Sequence, residues 1–568
     1  MSVTSASPAE STLYPVFRWA VLVGSALLTL GYVLFFVGLT SLPLQDLPNH
    51  LARAHILDDL LFNGGARFGQ EFVVHLTAQP YVLHDLILTT LVHLFGTSVG
   101  GAIFLAIALL SLPCALLFYM RVTGMAQPVQ LPVFVLSLLL STDWFFLVGF
   151  LAFRFAVAMV ILSLAVAEAL RARWSATGYV GYLALIVAGY LTHLAAPVFF
   201  AVAITVSAAA RLYFWKTTFK REVLLVLPVL AIVALNMATQ LGLNEHAQYA
   251  YEQVTLADKL RQSSYELGRF GGRISTLLIV LLGLAIVFGC VRAWRRTYLR
   301  APAVVENLVI ALAFVGLYLL LPRDYGDAAY VDVRALVMVT LFLLIASAWL
   351  SDADGGRGYG SLTVQAFVLI VAAMNLGWIS YRLEPIDHWL QDYRKVVAAV
   401  PAGARVLPVA TQSKIGLFEP YLHAGSYLVL DRDALMPYLF SGNSGDPMKF
   451  FMYRQKPYMP HESWYLKQHA WEAAVPASYN VMGQEYTWRF EYSERDHVWE
   501  PATMVPVDWP RVACEYDWLL VTKPFDASFI GVPARIEKQN GSAALFTIDK
   551  AACQPPISRG RVRLRTEH

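Results

Sequence analysis

Uncharged apolar runs recur from residue 19 to residue 381, and they decide the fold class before any motif is read. Trp19 to Leu39 holds no Asp, Glu, Lys or Arg, and about 20 apolar residues cross the ~30 Å hydrocarbon core of a bilayer. The run is too long for a signal-peptide core and no small-residue cleavage site follows it, so it reads as a retained helix. Further runs lie at Ser98 to Met120, Val122 to Thr142, Trp144 to Ala167 across Arg154, Trp174 to Ala210, Val223 to Asn244, Ile274 to Val291, Asn307 to Pro322, Ala335 to Ser351 and Gly358 to Tyr381. As one helix, Trp174 to Ala210 would be roughly 55 Å long, about twice what a bilayer needs, so it folds into a hairpin near His193 to Pro197. Eleven spans result. Tyr81 to Gly96 is shorter and carries His84, Asp85 and His93, which suits an amphipathic helix lying on the membrane.

Basic residues orient the spans. With a cytoplasmic N-terminus, Arg121, Arg171 with Arg173, the cluster Arg211, Lys216, Lys220 and Arg221, and the cluster Arg292, Arg295, Arg296 and Arg300 all fall on the cytoplasmic side, as the positive-inside rule asks. The composition agrees: 57% hydrophobic, 15% charged and mean hydropathy +0.53 describe a polytopic membrane protein. A net charge of +3 over 568 residues leaves no nucleic-acid footprint.

Residues 1–381 therefore read as a transmembrane domain with a first outer loop at 41–97, and 382–568 as a soluble domain on the outer, periplasmic side. The tail is read as a small α/β or α+β domain with candidate strands Ala404 to Ala410, Ser426 to Asp431, Asp517 to Thr522 and Ala543 to Ile548. Cys514 and Cys553 can pair in an oxidising compartment or stay as thiols; the sequence leaves both open. No CxxC, HExxH, EF-hand or Walker A spacing occurs, so ATP-driven transport has no support.

The polar residues gather after the first span. Asp46-Leu47-Pro48-Asn49-His50-Leu51-Ala52-Arg53-Ala54-His55 opens the outer loop. Asp46 is either a carboxylate base or the N-cap of a helix with Pro48 in its first turn. Asn49, His50 and Arg53 are either site residues or the polar face of a surface helix. His55, Asp58 and Asp59 form a loose cluster that reads more simply as solvated polar positions. Arg154 sits among apolar neighbours and requires an anion, either a lipid phosphate or Asp143. Arg323 and Arg334 flank a loop with Asp324, Asp327 and Asp332, and arginine suits bidentate phosphate binding. His193 stands at the hairpin tip with Thr192. The tail holds seven of the 14 tryptophans, at 389, 464, 471, 488, 499, 509 and 518, available for sugar stacking, membrane anchoring or core packing.

A first helix, a large outer loop opening on an Asp, further helices and an outward C-terminal domain resemble the GT-C superfamily of membrane glycosyltransferases, which includes protein O-mannosyltransferases and lipid A aminoarabinose transferases. Asp46 to Ala54, Phe146 to Phe153, Leu191-Thr192-His193-Leu194 and Asp332-Val333-Arg334 are similar to segments of bacterial proteins of this type. The resemblance implies an inner-membrane enzyme that uses a polyprenyl-phosphate sugar donor and a glycan, lipid or protein acceptor, by an inverting displacement. It implies Asp46 as catalytic base; from residue chemistry and the outer-face topology, His50 is expected to assist it, at least two of Arg154, Arg323 and Arg334 to converge with His193 on the donor phosphate, and Asn49, Arg53, Asp143 and Asp324 to contact substrate. Leu47 stands where the commoner pattern has Glu, so no metal ligand set is assigned, although a divalent ion stays compatible. A lipid-linked glycan ligase or polymerase is the alternative enzyme. A transporter or flippase would show repeat-related halves with midplane sites, and no repeat is visible.

Overall fold

The computed structural model describes residues 8–214, 217–243, 302–322, 330–353, 362–410, 419–440, 451–455, 457–459, 466–467, 490–493, 498–501, 507–523 and 530–553, with isolated positions at 259, 277, 280, 281, 283, 284, 287 and 527. The expected span at 274–291 and the residues Arg323, Asp324 and Asp327 lie outside these stretches.

Among the described residues, seven helices are long and apolar enough to cross a membrane: α1 (Pro8–Gly38), α3 (Val82–Val122), α6 (Leu151–Ala172), α8 (Ala195–Phe214), α10 (Pro302–Leu320), α11 (Val331–Ala353) and α12 (Leu362–Val397). Two shorter apolar helices, α4 (Gln127–Ser141) and α7 (Ala176–Thr192), and the longer α9 (Phe219–Leu243) sit at expected spans. The α7/α8 break falls at His193, as the length of that run required. Large apolar side chains on α1 stay exposed, among them Trp19, Leu27, Leu30 and Leu34, which is the surface a lipid-facing helix presents. The chain is a polytopic helical membrane protein with a small C-terminal sheet domain.

Helix α3 resolves the question of Tyr81 to Gly96. It changes direction at Gly96, whose φ of 77° and ψ of 168° leave the helical region, so an amphipathic half precedes the apolar half. The two halves nearly touch: a Cβ at Gly100 would lie 2.6 Å from the Leu91 carbonyl oxygen. Helix α2 (Leu47–Phe62) packs along α3, and a Cβ at Gly101 would meet Leu51 at 2.9 Å. The short α5 (Trp144–Val148) ends on Gly149 at φ 92°.

The tail is continuous with the bundle. Helix α12 runs unbroken past the expected boundary at 381–382, and its Asp387 carboxylate accepts from the Ser41 and Thr40 backbone amides at 2.6 and 3.2 Å, tying down the exit of α1. The tail core is a mixed five-stranded sheet ordered β4 (Leu466–Lys467), β2 (Val406–Ala410), β7 (Trp518–Thr522), β9 (Ala543–Ile548), β8 (Ala534–Gln539). Strands β2 and β7 are parallel, while β9 is antiparallel to both of its neighbours. A hairpin of β5 (Phe490–Ser493) and β6 (Val498–Pro501) stands apart from it. Three expected strands are present. Ser426 to Asp431 is instead helical, as α13 (Tyr427–Arg432), because its short apolar run is compatible with either period and packs against α2. Cys514, on α14 (Trp509–Glu515), is disulfide-bonded to Cys553 across a separation of 39 residues.

The tail also reaches back to the first loop. β1 (Phe72–Val74) pairs antiparallel with β3 (Phe451–Tyr453), and Phe72 stacks on Phe451 at 5.1 Å.

Candidate active site

Asp46 occupies the N-cap position of α2, but its side chain makes no capping hydrogen bond. The helix start is served by the Asp46 backbone carbonyl, which accepts from Asn49 and His50 at 3.1 Å each. The carboxylate, its side chain 11% exposed, is thereby released from capping. Its position is fixed by the Phe146 to Phe153 segment: the Asp46 amide donates to Val148 O at 2.9 Å, and a Cβ on Gly149 would fall 2.9 Å from Asp46 N. Only glycine combines φ 92° with that approach.

A residue from the tail faces this carboxylate. His423 Nε2 lies 3.5 Å from Asp46 Oδ1, and Gln45 Nε2 donates to the same oxygen at 3.4 Å. The tautomer of His423 follows from Asn49. Asn49 Oδ1 accepts from Phe440 N at 2.8 Å, which fixes the amide, so its Nδ2 donates to Tyr438 O at 2.9 Å and to His423 Nδ1 at 3.2 Å. Nδ1 is then the acceptor and Nε2 carries the proton towards Asp46. Asn49 is fully buried, and these bonds serve to hold the tail.

Around α2 the polar group widens. Arg53 Nη2 lies 2.5 Å from Asp85 Oδ2, and its Nη1 donates to Phe440 O at 3.0 Å. His84 Nδ1 lies 3.1 Å from Asp85 Oδ1, and the His50 and His84 rings meet edge to face at 5.0 Å. Burial, then His84, hold His50 well below its ordinary pKa. His50, His84 and Asp85 form the one cluster among the described residues whose ligand atoms could hold a metal ion.

At the hairpin tip His193 is buried, and its pKa is lowered well below the usual value, first by burial and then by Arg334. Its Nδ1 accepts from Ala195 N at 2.9 Å, so in the neutral ring Nε2 bears the hydrogen. That Nε2 stands 3.0 Å from Arg334 Nη1. Guanidinium and imidazole are in direct contact there, and the Tyr81 side chain hydrogen-bonds to Arg334 as well. Arg334 also lies over the Phe150 and Phe153 rings at 5.1 and 5.4 Å, and Tyr81, at φ 73°, packs on His193 at 5.0 Å. A non-glycine residue held at positive φ stores roughly 1–3 kcal/mol of strain, which clusters at functional sites.

The remaining sequence candidates fall elsewhere. Arg154, expected at the donor phosphate, is 1% exposed and donates to Asp143 Oδ2 at 2.8 Å and to Leu140 O at 2.6 Å. Asp143, expected at the substrate, pairs with it and caps α5 through Phe146 N at 3.1 Å. The protein supplied the anion that Arg154 requires. His55 bonds to Asp433 at 2.7 Å, Asp58 to His93 at 2.8 Å, and Asp59 accepts from the Arg67 and Phe68 amides, so these three are separately engaged. Of the tail tryptophans, Trp389 stacks on Tyr393 and Tyr421 and Trp509 is buried in the tail core. The side chains at 464, 471, 488 and 499 lie outside the described residues.

No protein-family model matches the sequence, and no curated protein matches it. Among solved structures, the chain is similar to ArnT from Cupriavidus metallidurans in the apo state, with a TM-score of 0.49 and 11% identity, over 96% of this chain and 100% of that one. It is also similar to ArnT from the same organism bound to undecaprenyl phosphate, with a TM-score of 0.47 and 11% identity, over 96% and 99% of the two chains.

Proposed function

We propose that the protein is a glycosyltransferase that takes a sugar from a polyprenyl-phosphate donor and passes it to a hydroxyl of a glycan, lipid or protein acceptor, at the periplasmic face of the bacterial inner membrane. Asp46 takes the proton of the attacking hydroxyl as that oxygen displaces the lipid phosphate with inversion. A positioned base is typically worth 10² to 10⁴ in rate. The observation that carries this reading is the Asp46 carboxylate itself, released from the helix cap and set against His423. His423 Nε2 faces the carboxylate at 3.5 Å, and Gly149 sets its depth.

The leaving phosphate is assigned to Arg334 and His193, a guanidinium and an imidazole brought into contact at the α7/α8 tip. A guanidinium holds the developing charge by paired, charge-assisted hydrogen bonds. Arg154 is left out because Asp143 already engages it.

The test is mass spectrometry of lipid retained by the purified full chain, with a polyprenyl-phosphate added back to lipid-stripped protein. Polyprenyl-phosphate should be retained by the wild type and released by Arg334→Lys, which keeps charge but loses the fork. Equal retention by both proteins, or none by either, would refute the phosphate assignment.

A further inference from the structure

We propose that the tail segment Glu419 to His423 is a working part of the active site. His423 and Gln45 are positioning residues that hold Asp46 Oδ1, so that Oδ2 is the atom that takes the acceptor's proton. The role rests on the glycosyltransferase reading and adds to it which oxygen acts and what aims it.

Asp46 lies at a seam between the membrane part and the tail. The Gln45 and Asp46 amides donate to Leu147 O at 3.2 Å and Val148 O at 2.9 Å, which pins their backbone to α5. The side chains are set from the other direction. Glu419 N donates to Gln45 Oε1 at 3.0 Å, so the tail orients that amide and Nε2 is the group that faces Asp46 Oδ1, at 3.4 Å. His423 Nε2 reaches the same oxygen at 3.5 Å. Its ring is turned by Asn49 at Nδ1 and by Phe440, which meets it edge to face at 4.8 Å. The segment is itself a tight turn, with Leu422 N donating to Glu419 O at 3.1 Å and Trp389 of α12 packed on Tyr421 at 4.0 Å.

Both donors converge on Oδ1, and Oδ2 receives no hydrogen bond from the described residues. That asymmetry selects the base atom. A carboxylate that turns freely about its last torsion presents either oxygen; one approached twice at Oδ1 presents Oδ2. At 3.4 and 3.5 Å the two contacts are longer than settled hydrogen bonds, as contacts at a catalytic group are before substrate closes the site. In the resulting step Oδ2 takes the hydroxyl proton and the acceptor oxygen bonds to the anomeric carbon. The bond from that carbon to the phosphate oxygen breaks, and its electron pair leaves on the lipid phosphate. A misplacement of about 1 Å can cost 10²-fold in rate, so the two residues act on turnover and not on donor affinity.

The test uses the full chain with ¹⁵N-labelled histidine in lipid bilayers, without substrate, and then sugar transfer from radiolabelled polyprenyl-phosphate sugars to an envelope extract. Solid-state spectra should show His423, assigned by its loss in His423→Gln, with Nδ1 bare and Nε2 protonated, and the Nε2 signal should move in Asp46→Asn. In transfer, His423→Leu should lose about 10²-fold in kcat with the KM for donor unchanged. His423→Gln, which keeps a donor at that reach, should recover most of the loss. Gln45→Glu, which sets a second carboxylate against Oδ1, should fall at least as far as His423→Leu. Wild-type kcat in His423→Leu, or an Nε2 signal indifferent to Asp46→Asn, would overturn the proposal and leave the glycosyltransferase reading standing. A wild type inactive on every polyprenyl-phosphate sugar would overturn that reading, and this role with it. Should the leucine variant fail to fold, the spectra of the wild type and Asp46→Asn still decide the contact.

Discussion

The two ends of α6 carry polar clusters of similar size built on opposite plans. At its C-terminal end Arg171 binds Glu168 at 2.7 Å and grips Glu222 with both Nε and Nη2, while Arg211 bridges Glu168 at 3.0 Å and Glu306 at 2.9 Å. Ser207 donates to Glu306, and Arg221 donates to the Arg171 carbonyl at 2.8 Å. Each carboxylate there has a cation, and the cluster ties together the ends of α6, α8, α9 and α10. At the other end, where Gly149 abuts Asp46, the plan differs: the Asp46 side chain makes no capping bond, His50 Nδ1 and His84 Nε2 lack a hydrogen-bond partner among the described residues, and Arg334 meets the neutral-held His193 at 3.0 Å rather than a carboxylate. Satisfied clusters hold a fold together, whereas buried polar atoms without a partner call for an explanation beyond packing.

The contrast can be broken in order of size. Glu306→Gln should destabilise the chain by about 3 kcal/mol, the low end for breaking a buried pair, because Arg211 keeps Glu168. Thermal unfolding in detergent reads this, and transfer measured well below the midpoint should be retained. Gly149→Ala should lose about 1–3 kcal/mol from backbone strain and the 2.9 Å approach to Asp46, with a loss of transfer larger than that stability change accounts for. If the two losses match, the segment only packs.

The smallest expected effect is one of pH. His193 is held neutral in the folded chain, its pKa lowered by burial and Arg334. Below the unfolded value of about 6.5 the unfolded chain takes a proton that the folded chain refuses, so stability falls as pH drops and the contribution is complete above that value. His193→Gln should flatten this dependence in melts taken at descending pH. An unchanged slope would mean that His193 is not held neutral.

The membrane part was legible because span length and charge exclusion are local properties, and even the break at Gly96 followed from the polar half that precedes it. Asp46 and the Phe146 to Phe153 segment were visible as motifs, although nothing in the sequence said that one seats the other. His423 was not visible. It joins Asn49 from 374 residues away, and no periodicity encodes a contact of that range. His84 and Asp85 were read as the wet face of a surface helix; the available signal was a His-Asp pair on a helix that packs along α2. Arg154 was recognised as needing an anion, but sequence cannot choose between a lipid and Asp143. Strand β8 was missed because all six of its residues are exposed, which leaves no apolar alternation to detect.

Asp46→Asn tests the central claim most directly, with sugar transfer from a purified polyprenyl-phosphate donor and the thermal midpoint measured on the same preparation. The account predicts that transfer falls by roughly 10² to 10⁴ while the midpoint stays at the wild-type value, since the Asp46 side chain caps nothing. Wild-type turnover in that variant, or a drop in midpoint that explains the lost turnover, would contradict it.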